Sequence, residues 1–171
     1  MCPIRGLSEA RQLPRLGKIR LGVKVEGSGK APYPRAVDYF VCPPEVQAVF
    51  GEKPAELIIM FPVENEALFA AQWYKCYSAS RGLICKGDGV TADRTIDEET
   101  GALATRDSKF VVRKEGVPCQ GPECPDFQAK RCRPLMTLQF LLPDVEGLGV
   151  WQIDTSSVIS IRNINSGLDM I

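Results

Sequence analysis

Polar and apolar residues alternate along Lys18-Ile19-Arg20-Leu21-Gly22-Val23-Lys24-Val25, and this period of two predicts a half-buried strand. Residues 26–30, Glu-Gly-Ser-Gly-Lys, then read as a flexible turn. Residues 36–42 form a second strand candidate, ended by Pro43-Pro44. Glu45-Val46-Gln47-Ala48-Val49-Phe50 reads as a short helix with Gly51 as its C-terminal cap. The compact apolar run at 56–61 predicts a buried strand closed by Pro62, and the aromatic-rich residues 68–77 predict another. Ahead of all these, residues 6–14 begin like a short helix or arm that Pro14 stops.

From about residue 83 to 134 the pattern changes. Gly, Asp, Thr, Pro and Cys are frequent there and large apolar residues are few. Residues 90–94 and 109–113 suit a hairpin, with Asp97-Glu98-Glu99-Thr100-Gly101 turning within it. The ordinary pattern returns with strands at 137–142 and 150–154. A terminal helix follows, with Asp154, Thr155 or Ser156 as candidate N-caps. Val158, Ile161, Ile164 and Leu168 step by three, three and four and line one face of it. That helix is barely finished at Ile171, so the natural chain is expected to run on. The expected class is α+β and β-rich. Residues 1–82 and 135–171 form the core, either a small OB-like barrel or a mixed sheet of ferredoxin-like kind, with the C-terminal helix. Residues 83–134 form an inserted four-cysteine, zinc-ribbon-like module.

The module rests on four of the seven cysteines. Cys85 stands in Ile84-Cys85-Lys86-Gly87-Asp88-Gly89, where a small glycine-bearing turn lets backbone amides approach the sulfur. Cys119, Cys124 and Cys132 follow, spaced Cys-x4-Cys-x7-Cys, in a stretch too poor in apolar residues to hold its own shape. A tetrahedral thiolate site would supply the missing stability, so one structural zinc ion on Cys85, Cys119, Cys124 and Cys132 is the leading reading. The spacing is looser than a paired Cys-x2-Cys, and two disulfides or unligated thiols are its rivals. Cys2, Cys42 and Cys76 read as small buried or incidental residues, with Cys76 the first substitute if one of the four is not a ligand.

Composition narrows the chemistry. The 171 residues are 44% hydrophobic and 25% charged, as in an ordinary soluble domain. No apolar run approaches the roughly 20 residues that span a bilayer, and the first residues lack the apolar core of a signal peptide. A reducing cytoplasm is therefore expected, where clustered cysteines favour metal over disulfides. Histidine is absent altogether. That removes Ser-His and Cys-His nucleophilic pairs and every histidine-bearing metal site. An all-cysteine site leaves no open coordination position and is usually structural. No catalytic residue and no organic cofactor is expected.

Net charge is zero but unevenly spread: residues 1–35 carry eight basic and two acidic residues, and 106–135 carry seven and four, while the segments between and after are acidic. A basic N-terminal arm and a basic cysteine module commonly meet phosphate, so DNA is a candidate partner through both; a solvated charged surface explains the composition equally well. Gly149-Val150-Trp151-Gln152-Ile153-Asp154-Thr155-Ser156-Ser157 sets an aromatic, a carboxylate and three hydroxyls at a strand-to-helix junction. It reads first as a capping cluster with Trp151 in the core, and second as a phosphate site. Phe69, Trp73, Tyr74 and Tyr77 suit core packing better than base stacking. Asp88 and Asp154 are weak candidates to share a divalent ion.

Several runs carry a family resemblance: Met-x-Pro3-Ile4-Arg5-Gly6-Leu7-Ser8, Leu16-Gly17-Lys18-Ile19-Arg20-Leu21-Gly22, Asp38-Tyr39-Phe40-x-Cys42-Pro43-Pro44 and Gly51-Glu52-Lys53-Pro54-x-Glu56-Leu57. With Gln72-Trp73-Tyr74-Lys75, Cys85-Lys86-Gly87-Asp88-Gly89 and the 149–157 run, they make nearly the whole chain resemble the phage and prophage recombination directionality factor-like proteins. Some members of that group carry metal-binding or hydrolase descriptions. The resemblance implies a non-catalytic accessory factor that binds a large serine integrase and turns site-specific recombination towards excision. The four cysteines match the family's cysteine positions; no integrase-contacting residue carries over. A single-stranded nucleic-acid-binding protein of OB and zinc-ribbon type, acting in phage replication or recombination, is the alternative.

Overall fold

A computed structural model describes residues 13–27 and 30–171. The arm expected at 6–14 falls almost wholly outside the described residues, as do Ser28 and Gly29 of the expected turn and Cys2. The chain forms two compact units, one ending at Phe69 and resuming over Leu138–Ile153, the other built from Ala70–Thr137 and Asp154–Ile171. The expected inserted module, residues 83–134, lies wholly within the second unit.

In the first unit, β1 (Arg15–Gly27) pairs antiparallel with β2 (Lys30–Val41) and parallel with β8 (Val150–Thr155). The strand order runs β2-β1-β8, and the end of β7 (Cys132–Phe140) lies next to β8. Alternation along β1 buries Ile19, as the period of two requires. In the parallel register Gly17 stands opposite Trp151. A Cβ at Gly17 would come within 2.7 Å of the indole ring, so only glycine lets that ring lie against the β1 backbone. Trp151 is buried accordingly and belongs to the core. Helix α1 (Pro44–Phe50) begins on Pro43-Pro44 and ends where Gly51, at φ 88°, donates its N–H to Gln47.

The apolar run at 56–61 is not a buried strand. It makes one isolated bridge, Met60 to Leu141, and Ile58 and Met60 are 66% and 54% exposed. Pro54 and Pro62 bracket the run and each lacks an amide to donate, so there is little room for a paired ladder. The segment 68–77 also divides: α2 (Glu66–Phe69) is a single helical turn, and the strand starts only at Ala70.

The second unit is an antiparallel meander of β3 (Ala70–Ser78), β4 (Gly82–Gly87), β5 (Thr91–Asp97) and β6 (Val111–Pro118), with the start of β7 beside β3. The expected hairpin is present as β5 and β6, with Asp97 opposite Val111. Asp97 accepts hydrogen bonds from the amides of Glu99 and Thr100 at its turn, as an Asx turn does. After β6 come a 3₁₀ turn (Gly121–Glu123) and the single-turn α3 (Pro125–Gln128). The strand orders are those of open, mixed sheets with ends, which favours the mixed-sheet form of the expectation over the barrel.

Helix α4 (Val158–Leu168) closes the chain. Its N-cap is Ser157, whose hydroxyl accepts from the Ser160 amide at 3.3 Å, and not Asp154, Thr155 or Ser156. Asp154 and Thr155 still belong to β8, where Asp154 accepts from the Thr137 hydroxyl and Thr155 from the Ser157 amide. The apolar stripe of α4 is only half covered: Ile161, Ile164 and Leu168 are intermediate and Val158 is exposed. A reciprocal amide pair, Gln72 with Asn165, ties the helix to β3. Among the described residues no helix is long and apolar enough to cross a membrane.

Candidate metal centre

Antiparallel pairing of β3 with β4 sets Cys76 directly across from Cys85. The chain then returns twice. Cys119 follows the end of β6, anchored by its amide on the Val90 carbonyl at 2.8 Å, and Cys124 precedes α3 as its N-cap residue. Cys132 opens β7. All five thiols line one cavity of about 240 Å³, together with Tyr74, Arg94 and Asp126. The four cysteines singled out from the sequence are thus brought to one place, and Cys76 joins them. Cys42 is buried in the other unit and takes no part.

The β4–β5 turn makes room for this. Asp88 accepts the amides of Val90 and Thr91 at 2.7 Å each, folding the turn back on itself. These bonds hold the Asp88 carboxyl below its ordinary range, the Thr91 amide contributing most. Asp88 is therefore a turn residue, and Asp154 is engaged with Thr137. Gly87, at the end of β4, faces Cys119 so closely that a Cβ would lie 2.9 Å from the sulfur.

Beside the thiols sits a charged set that sequence reasoning missed. Asp126, largely buried, takes Arg94 at 2.8 Å and Arg131 at 2.6 Å. Cys124 Sγ lies 4.0 Å from the same carboxylate. The Nε of Arg94 is buried without a hydrogen-bond partner. Tyr74, on the cavity wall, stands edge-on to Phe127 at 5.6 Å. A signal for Asp126 existed in Pro125-Asp126, a helix-initiating pair between the candidate ligands Cys124 and Cys132. The Cys76–Cys85 pairing has no such signal: counting back from the turn at 79–81 sets Cys76 against Ile84, and a register shift between Cys76 and Tyr77 brings Cys85 opposite instead. Nothing in the sequence marks Arg94.

Burial pushes the Cys85 thiol up to about 11, with Cys119 and Cys76 adding to the rise and Arg94 opposing it. Cys132 is pushed up to about 12 by burial first and then by its neighbouring thiols. Crowded, desolvated thiols of this kind lose their protons readily only to a cation that replaces them. Among the described residues no group of three or more Cys, Asp or Glu side chains is drawn tightly enough to enclose an ion as it stands. The donor set nonetheless fits a thiophilic divalent metal. Five sulfurs share one cavity, a glycine keeps one of them clear, and Arg94, a cation whose Nε has no hydrogen-bond partner, is among the residues that line it.

The model of the Gp3-like family, described as recombination directionality factor-like, matches residues 16–171. No curated protein matches the chain. No solved structure matches it either.

Proposed function

The chain belongs to the Gp3-like, recombination directionality factor-like family, and from that premise we propose that it is a phage accessory protein that binds a large serine integrase and turns site-specific recombination towards excision. The observation that carries this reading is the extent of the match, which takes in both compact units. The recombinase supplies the nucleophile, and this chain supplies a binding surface and no catalytic residue.

In the same reading Cys85, Cys119, Cys124 and Cys132 hold one structural zinc ion, with Cys76 as a fifth thiol at the cavity wall. Zinc would contribute folding stability to a stretch with few apolar residues. The chain's own residues do the rest. Gly87 keeps the Cys119 sulfur unobstructed, the Cys119 amide anchors its loop to Val90, and Asp126 gathers Arg94 and Arg131 around the thiols.

The test is a co-purification of the protein with a large serine integrase at moderate salt without DNA, alongside recombination between the two hybrid attachment sites. Complex formation and a gain in excision support the proposal. Absence of binding, with recombination unchanged in either direction, overturns it.

A further inference from the structure

Next to the thiol cavity, and sharing Cys76 and Leu103 with it, the second unit carries an open groove of about 630 Å³. Lys75, Arg106, Lys130, Arg131 and Arg133 all line it, and among the described residues no carboxylate does. Arg131 is partly neutralised by Asp126. Arg106, Lys130 and Arg133 are exposed and make no ion pair with any described residue. Like charges in one concavity repel one another, and an anion seated among them relieves that repulsion.

The shape and lining of the groove select the kind of anion. At its floor Cys76, Ile84 and Leu103 are 2%, 6% and 6% exposed, and Pro134 and Leu135 on its wall are half-buried, so what the groove offers most freely is its positive charge. The large aromatic at its rim is Tyr77, 59% exposed. Cations that track a backbone beside an accessible aromatic face are what a single nucleic-acid strand uses: phosphates for the cations and a base for the ring. A duplex keeps its bases stacked and paired away from the ring, whereas a single strand leaves them free to meet it. Three of the cations also flank one thiol, Lys130 and Arg131 before Cys132 and Arg133 after it. Lys130 takes a left-handed backbone, φ 60°, which lets the Arg131 amide close on the Asp126 carbonyl at 2.9 Å.

We propose that this groove binds the phosphodiester backbone of single-stranded nucleic acid, with Arg106, Lys130 and Arg133 meeting phosphates and Tyr77 stacking on a base. The site is distinct from the integrase-binding role and does not depend on it.

The experiment is fluorescence anisotropy of a 5′-labelled twenty-nucleotide oligothymidylate with the full chain, titrated across a series of salt concentrations. Three phosphate contacts on a single strand predict a slope of log K against log salt near −2, from about −0.7 for each contact. Arg133→Gln and Lys130→Gly are each expected to flatten it by about 0.7. Glycine suits the left-handed backbone at 130 and so removes the charge without disturbing the fold. Arg162→Gln, an exposed change on α4 outside the groove, should leave the slope alone. Tyr77→Ala should weaken binding at every salt concentration with the slope unchanged. No anisotropy change with the protein at about 100 μM in low salt would overturn the proposal, since nonspecific strand binding is normally tighter than that. So would an unchanged slope in Arg133→Gln, or displacement of the oligonucleotide by polyglutamate as readily as by unlabelled strand. Co-purification with integrase is scored separately, so a chain that binds the strand but no integrase refutes only the regulatory role, and the converse refutes only this one.

Discussion

Gly87 and Cys119 occupy one space: the position a β-carbon would take on Gly87 lies 2.9 Å from the Cys119 sulfur, and equally close to the Ala92 side chain and the Thr91 carbonyl. Two of these three neighbours are strand β5 itself, which cannot yield. Gly87→Ala is therefore expected to destabilise the second unit by about 1–3 kcal/mol, as overpacking of a close contact does. It should also lower bound zinc below one per chain, because relief of the clash displaces Cys119. Denaturant unfolding and elemental analysis measure the two effects. A variant with full stability and full metal content would show that the close approach has no consequence.

Asp126 is the buried counter-ion of two arginines, and Arg94 is the one that cannot escape to water. Arg131 is well exposed, whereas Arg94 is mostly covered and already has one unpartnered nitrogen. Asp126→Ala strands the Arg94 charge, and removing one partner of a buried pair costs about 3 kcal/mol. Arg131→Ala leaves Asp126 with Arg94 and is expected to cost under about 1 kcal/mol, as an exposed pair does. Chemical denaturation of the two variants side by side checks the ordering, and equal losses would contradict it.

Metal removal should act on one unit only. A strong chelator is expected to lower the thermal transition of the second unit and leave that of the first in place, since all five clustered thiols belong to the second. Serine at Cys85, Cys119, Cys124 or Cys132 should abolish stoichiometric zinc. Serine at Cys42, buried in the first unit, should not. Calorimetry with and without chelator, paired with elemental analysis of the five variants, reads out both statements.

Asp88 sets a pH dependence at the β4–β5 turn. Its carboxyl is held below the ordinary value of 3.8 by the Thr91 and Val90 amides. A group with a depressed folded-state value contributes stability above its unfolded value and loses that contribution as pH falls through the folded one. Asp88→Ala should thus melt earlier than the parent at pH 7, and the gap should narrow in acid, as the pH falls past 3.8 and through the lower folded-state value. Melting curves at pH 7 and in acid test it; a gap that persists in acid would assign the effect to packing instead.

The strands of strict alternation were legible in the sequence, and so was the hairpin around Asp97, because both depend on side-chain period and local turn chemistry. The 56–61 run misleads for an equally physical reason: hydrophobicity proposes a strand, but a ladder needs a neighbour with free amides, and the flanking prolines and the available partners leave a single bridge. The helix cap lies at Ser157 rather than at 154–156 because β8 continues two residues further than its apolar pattern.

The candidate site divides in the same way. Residue type and spacing alone identified Cys85, Cys119, Cys124 and Cys132 as one group, since thiols in an apolar-poor stretch have few other uses. Strand pairing was needed to add Cys76, which sits across the ladder from Cys85 and nowhere near it in a spacing rule. The return of the chain at α3 was needed to join Arg94 to Asp126, 32 residues apart. The convergence of Arg106 with Lys130 and Arg133 likewise exists only once the chain has folded back on Cys76. Chemistry carried by residue type is written along the chain; chemistry carried by the meeting of distant charges depends on register and crossing, which local pattern does not specify.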